Sequence, residues 1–173
     1  MPRRHPPLPR TWLMTDERMC ESLWDALERL PRGSGVVFRH YAVDAQERRA
    51  LFAKVAKIAH RRELMLVRAG APLGAPAHGT HNQRGRTTTA AAHSRREAIA
   101  GIRAGAKLVF VSPVFATRSH PGARALGRVR LGLMIRGLGV PVVALGGMDA
   151  RNARSLRQLG TYGWAAIDAW TRA

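Results

Sequence analysis

Short apolar runs alternate with amphipathic stretches along most of the chain. Thr11–Thr15 (TWLMT) is an apolar run that ends at Asp16, and Glu21–Leu30 then places Leu23, Trp24, Leu27 and Leu30 on one helical face. Pro31–Gly35 breaks that helix. Val36–Phe38 reads as a second strand, carrying Arg39, His40 and Tyr41 at its end, and Asp44 opens a helix on which Leu51, Val55, Ile58 and Ala59 recur at helical intervals. Leu64–Val67 is a third strand running into Arg68. From Ala69 to Ala90 the alternation fails: Gly, Pro, Thr and Ala dominate without an amphipathic helix, so this stretch predicts loops around a weak strand near His78–Asn82. Regularity resumes at Ala91, with Ser94 and Glu97 forming a capping box for a helix over Arg95–Ala104. The strand Leu108–Val111 follows, then a long loop (SPVFATRSHPGARALG), a helix from about Val129 to Leu138, and a strand opening at Val140. A helix over Ala150–Leu159 and a last strand Trp164–Ile167 complete the pattern.

About eight strands alternating with helices predict an α/β chain closed as a (β/α)8 TIM-type barrel. The chain is short for that fold, which places the reduced or missing helices around residues 69–90. A doubly wound open sheet is the alternative. The barrel is expected over residues 11–173 as one domain, and residues 1–10 (MPRRHPPLPR), basic and proline-rich, as a flexible tail.

Two strands point to chemistry. Val140–Asp149 (VPVVALGGMD) reads as a buried parallel strand entering a phosphate-type turn: Gly146 and Gly147 permit positive φ and close backbone approach, and Asp149 caps the next helix. The same glycine pair also fits a tight strand-to-helix turn without a ligand. In Leu108–Thr117 (LVFVSPVFAT) a second apolar strand ends in polar residues, again at the carboxyl end, where ligands sit in such folds.

Composition changes this picture in few places. At 173 residues and 46% hydrophobic content the chain suits one globular core, and Cys20 alone excludes an internal disulfide and a cysteine zinc site. Neither a run of about 18 apolar residues nor a signal-peptide core occurs, so the expectation is a cytoplasmic protein with no membrane partner. The net charge of +18 suggests attraction to anions, but the arginines are spread out without interleaved aromatics, which leaves nucleic acid a lesser reading. His78 and His81, three apart, lack a third ligand, so no metal site is expected from them.

The ordered series TWLMTD, VVFR, AHS, REAIAGIRAGAKLVFVSPVFAT, VPVVALGGM and G-x-x-G-W-A-A-I-D resembles the thiamine-phosphate synthase family, including its thiazole tautomerase branch. The resemblance is strongest from about Ala91 to Trp170. It implies a barrel that joins hydroxymethylpyrimidine pyrophosphate to thiazole phosphate, releasing pyrophosphate with Mg²⁺ present; the tautomerase branch isomerises the thiazole precursor. The implied partner is a phosphorylated small molecule, and a homo-oligomer is left open. By resemblance, Arg39 matches the strand-two arginine on pyrophosphate, Thr117 and Ser119 match phosphate-binding hydroxyls, and His120 stands where a lysine is expected. Gly146 and Gly147 match the glycines facing the thiazole phosphate, Ile167 and Asp168 occupy the other phosphate turn, and His93 is the remaining acid–base candidate.

The departures fall on the metal and on proton transfer. The family's metal-holding Asn-Asp step aligns with Arg68 and Ala69, where an arginine in place of an acid is expected to remove an oxygen ligand and add repulsion. The acid expected after a His-x-Gly-Gln step has no counterpart in HNQRGR. Ala91 and Asp168 replace serine-like residues, and Pro113, which cannot move a proton, replaces the tautomerase histidine.

Overall fold

The structure, a computed structural model, describes residues 7–84, 87–117, 122 and 124–171. Eight parallel strands close into a barrel in sequence order: β1 (Thr11–Met14), β2 (Gly35–Phe38), β3 (Met65–Ala69), β4 (Gly79–His81), β5 (Thr89–Ala92), β6 (Leu108–Val111), β7 (Val142–Leu145) and β8 (Gly163–Ala166). β8 returns to β1 with Trp12 opposite Ala165, so the open-sheet alternative is excluded.

The two-residue period of a strand decides which side chains fill the ring. Trp12, Met14, Val37, Val67, Leu108, Phe110, Val143 and Ala165 form one interior cluster, with the Trp12 and Phe110 rings edge to face at 5.2 Å. The indole lies where a side chain on Gly35 would otherwise project, so that strand position has room only for glycine. The intervening residues Leu13, Val36, Phe38 and Leu66 face outward onto Leu23 and Leu27 of α1 (Ser22–Arg29) and Phe52 and Val55 of α2 (Ala45–Arg61). On the other half, Val109, Val111, Val142 and Ala144 pack against α3 (Arg95–Arg103), α4 (Gly127–Ile135) and α5 (Ala150–Leu156).

Side-chain caps start three of these helices where the sequence places them. Asp44 accepts from the amides of Gln46 and Glu47, Ser94 from Glu97, and Asp149 from Asn152. α4 differs from expectation: it begins at Gly127 and stops at Ile135 before Gly137, whose φ is +70°, and Arg95 Nη1 donates to the carbonyls of Met134 and Arg136 at its end. No helix covers β3–β4 or β4–β5 among the described residues. Short polar links replace them: His78 Nδ1 accepts from the Leu66 amide, Thr88 Oγ1 from Thr80, and Asn82 Oδ1 from Ala91.

At the barrel's other end Leu8, Pro9 and Arg10 lie against the wall. The Tyr162 hydroxyl donates to Leu8 O, Trp12 Nε1 donates to Pro9 O at 2.7 Å, and Arg10 stacks over the Tyr162 ring. Among the described residues no helix is long and apolar enough to cross a membrane.

Candidate active site

The carboxyl ends of the eight strands form one rim, and the same alternation that fills the interior selects what faces its mouth. Two residues beyond Met14, Val37, Val67 and Phe110 stand Asp16, Arg39, Ala69 and Ser112, joined by His81 and His93 from β4 and the end of β5. Arg68 therefore projects outward. It donates to Gly70 O and lines a cleft of about 330 Å³ with Pro72, Leu73 and Thr80 on the barrel's outer side. The expected repulsion from Arg68 inside the mouth does not arise, because a strand turns neighbouring side chains to opposite faces. What occupies the inward position of the acid is Ala69.

Arg39 is tied into the rim by Thr15 and Asp16. Its amide donates to Thr15 Oγ1 at 3.0 Å, its Nε donates to Thr15 O at 3.0 Å, and its Nη2 lies 3.7 Å from Asp16 Oδ2. Thr15 is fully buried, and its hydroxyl also pairs with His40 Nδ1 at 3.0 Å while the His40 ring stacks on Phe38. Burial pulls the Arg39 guanidinium below its usual pKa, and the Asp16 charge opposes that pull. Asp16 is itself engaged by the Arg18 side chain at 2.6 Å and the Arg18 amide. Burial works to raise the Asp16 carboxyl, but the bonds and charge of Arg18, with the charge of Arg39, hold it below the ordinary carboxylate range.

His81, at 3% exposure, pairs through Nδ1 with Thr89 Oγ1 at 2.9 Å and meets Phe110 edge to face. Burial, assisted by the Arg39 charge, pushes its pKa down to about 4, so it stands neutral in the mouth at physiological pH. His93 is held differently: its amide donates to Glu97 Oε2 and its Nδ1 donates to Ser112 O at 2.8 Å, which directs the other ring nitrogen away from that carbonyl.

Gly146 and Gly147 stand across the ring from Arg39, with φ of +92° and +62°. A Cβ on Gly146 would lie 2.8 Å from Pro113 Cα, and one on Gly147 would lie 2.5 Å from Ala116 O. Phe115 N donates to Gly146 O and Asn152 Nδ2 to Gly147 O, so the loop after β6 is seated directly on the glycine turn. Thr117 follows at that same edge. Ile167 is half-buried between two apolar clusters, and Asp168 begins the short turn Asp168–Trp170, near enough for its charge to act on Arg18. Ser119 and His120 lie outside the described residues.

The family's metal can be tested on the donor set. All eleven carboxylates of the chain fall within described residues. Asp44, Glu97 and Asp149 are turned to helix N-termini, Glu17 accepts from the Ala42 amide, and Asp16 is held by two arginines. Between β3 and β7 the inward positions at the rim are Ala69, His81, His93, Ser112 and Leu145, none of them a carboxylate, and no cluster of three His, Cys, Asp or Glu that could hold a metal occurs among the described residues. These residues do not fit a Mg²⁺ site, which needs hard oxygen donors.

Sequence reading missed Thr15, Asp16 and Arg18, and treated His81 only as a metal candidate. For Asp16 the available signal was parity, since it stands two residues beyond the inward Met14; Thr15 and Arg18 are set by the turn that follows β1 and carry no such signal.

Residues 81–170 match the family model described as thiamine monophosphate synthase. The chain is 35% identical over 79 residues to the thiamine-phosphate synthase of Chloroflexus aurantiacus, covering 45% of this chain and 37% of that protein. It is 34% identical over 80 residues to the corresponding Pyrococcus furiosus protein, covering 46% and 39%. The matched stretch thus spans little more than a third of these relatives' length. In structure the chain is similar to a thiamine phosphate pyrophosphorylase from Pyrococcus furiosus, with a TM-score of 0.79 at 23% identity, over 96% of this chain and 88% of that one.

Proposed function

The chain belongs to the thiamine monophosphate synthase family, and from that premise we propose that its barrel mouth binds a pyrimidine pyrophosphate and a thiazole phosphate and joins them. The observation that carries this reading is the pairing of a locked, partly desolvated Arg39 on one side of the mouth with the Gly146–Gly147 turn and the Phe115–Thr117 loop on the other. In the reaction a C–N bond forms from the thiazole nitrogen to the pyrimidine methylene as the C–O bond to pyrophosphate breaks. The electron pair leaves with the pyrophosphate. Negative charge therefore grows on the leaving group, and a guanidinium already oriented there stabilises it without reorganising in the transition state. Both reactants are phosphorylated, so holding them at opposite edges of one ring supplies most of what a bimolecular step needs.

A second reading, ligand binding without turnover, is favoured by Ala69 and Pro113, which remove an oxygen ligand and a proton carrier from the rim. The test separates the two. Purified chain with both phosphorylated precursors should release pyrophosphate, and Arg39→Ala should abolish the release. Silence at high protein concentration together with a rise in Tm on adding thiamine phosphate leaves the binding reading; silence with no rise removes both.

A further inference from the structure

We propose that this barrel mouth holds pyrophosphate without a divalent metal, through the Arg39 guanidinium, with Thr15 as its positioning residue. The proposal rests on the reading of the mouth as the phosphate site. A divalent ion bridging pyrophosphate oxygens needs carboxylates that are free to turn toward it. Here every carboxylate near the rim has a visible task. Asp16 takes Arg18 on both oxygens and has Arg39 beside the second, Glu17 accepts the Ala42 amide, and Asp168 sits within the field of Arg18. The strands from β3 to β7 bring none inward.

The positive charge that remains at the site is built into the wall. The Arg39 side chain is 23% exposed, its neighbour Asp16 restrains it, and Thr15 holds the residue twice: the guanidinium donates through Nε to the Thr15 carbonyl, and the Arg39 backbone amide donates to the Thr15 hydroxyl. A guanidinium fixed in this way binds an anion through a preformed fork, and little rotamer entropy is lost when the anion arrives. Thr15 never touches the ligand. It is fully buried, and its hydroxyl joins the Arg39 amide to His40 Nδ1, so its effect on the anion passes through Arg39.

Calorimetric titration of the full chain with inorganic pyrophosphate, once in EDTA and once with excess Mg²⁺, decides the matter. Kd should differ by less than about threefold between the two, while Arg39→Ala and Thr15→Val each weaken binding in EDTA by about tenfold or more, and Thr15→Ser stays near wild type. Should Thr15→Val fail to fold by circular dichroism, Arg39→Lys serves in its place: it keeps the charge, loses the fork, and should still weaken metal-free binding. Binding that requires Mg²⁺ overturns the proposal and leaves the mouth as a phosphate site intact. Equal binding by Arg39→Ala reports diffuse attraction to a strongly basic chain and overturns it too. Absence of binding under both conditions removes the underlying reading as well.

Discussion

A histidine shut away from water binds a proton at a free-energy cost, and His81 carries that cost in the barrel mouth. Its folded pKa of about 4 lies below the 6.5 of an open imidazole, so the unfolded chain takes up a proton first as pH falls. Stability from this residue is complete above pH 6.5, declines between 6.5 and 4, and has been lost below that, amounting to about 3 kcal/mol. Urea unfolding at pH 7.5 and 4.5 should show a smaller drop for His81→Asn than for wild type, and equal drops would refute the assignment. The glycine pair makes the opposite point about legibility. Gly146 and Gly147 were readable as a special turn, but what forbids a side chain there is the backbone at Pro113 and Ala116, some thirty residues earlier in the chain. No local pattern reveals that contact.

At the scale of elements, caps were the most legible feature. Asp44, Ser94 and Asp149 each accept from an amide two or three residues ahead, because a short polar acceptor before an amphipathic run is a local arrangement. Asp149 also anchors the functional turn, since α5 begins three residues after Gly147 and Asn152 returns a hydrogen bond to the Gly147 carbonyl. Asp149→Ala should lower stability by about 1 kcal/mol, read as a shift of the urea midpoint with unchanged m. Helix ends were less legible. The end of α4 depends on Gly137 and on Arg95 reaching across from α3, and the second of these is a tertiary contact.

The barrel as a whole is unevenly sealed. β5 and β6 share four registered pairs, whereas β4 meets β5 through the single pair His81–Thr89, and no helix covers that seam among the described residues. Amide exchange should therefore reach residues 70–84 well before β5 to β7, and uniform protection around the ring would contradict the described pairing. The order of strands and helices, the capped helix starts at Asp44, Ser94 and Asp149, and the stretch without helices followed from the local sequence, because each is settled within a few positions along the chain. The register of the ring, the outward turn of Arg68, the lock of Thr15 on Arg39 and the seat of the Phe115 loop on Gly146–Gly147 belong to the folded molecule alone. They depend on strand register and on side chains brought together from distant segments, and periodicity carries no information about which strand lies beside which.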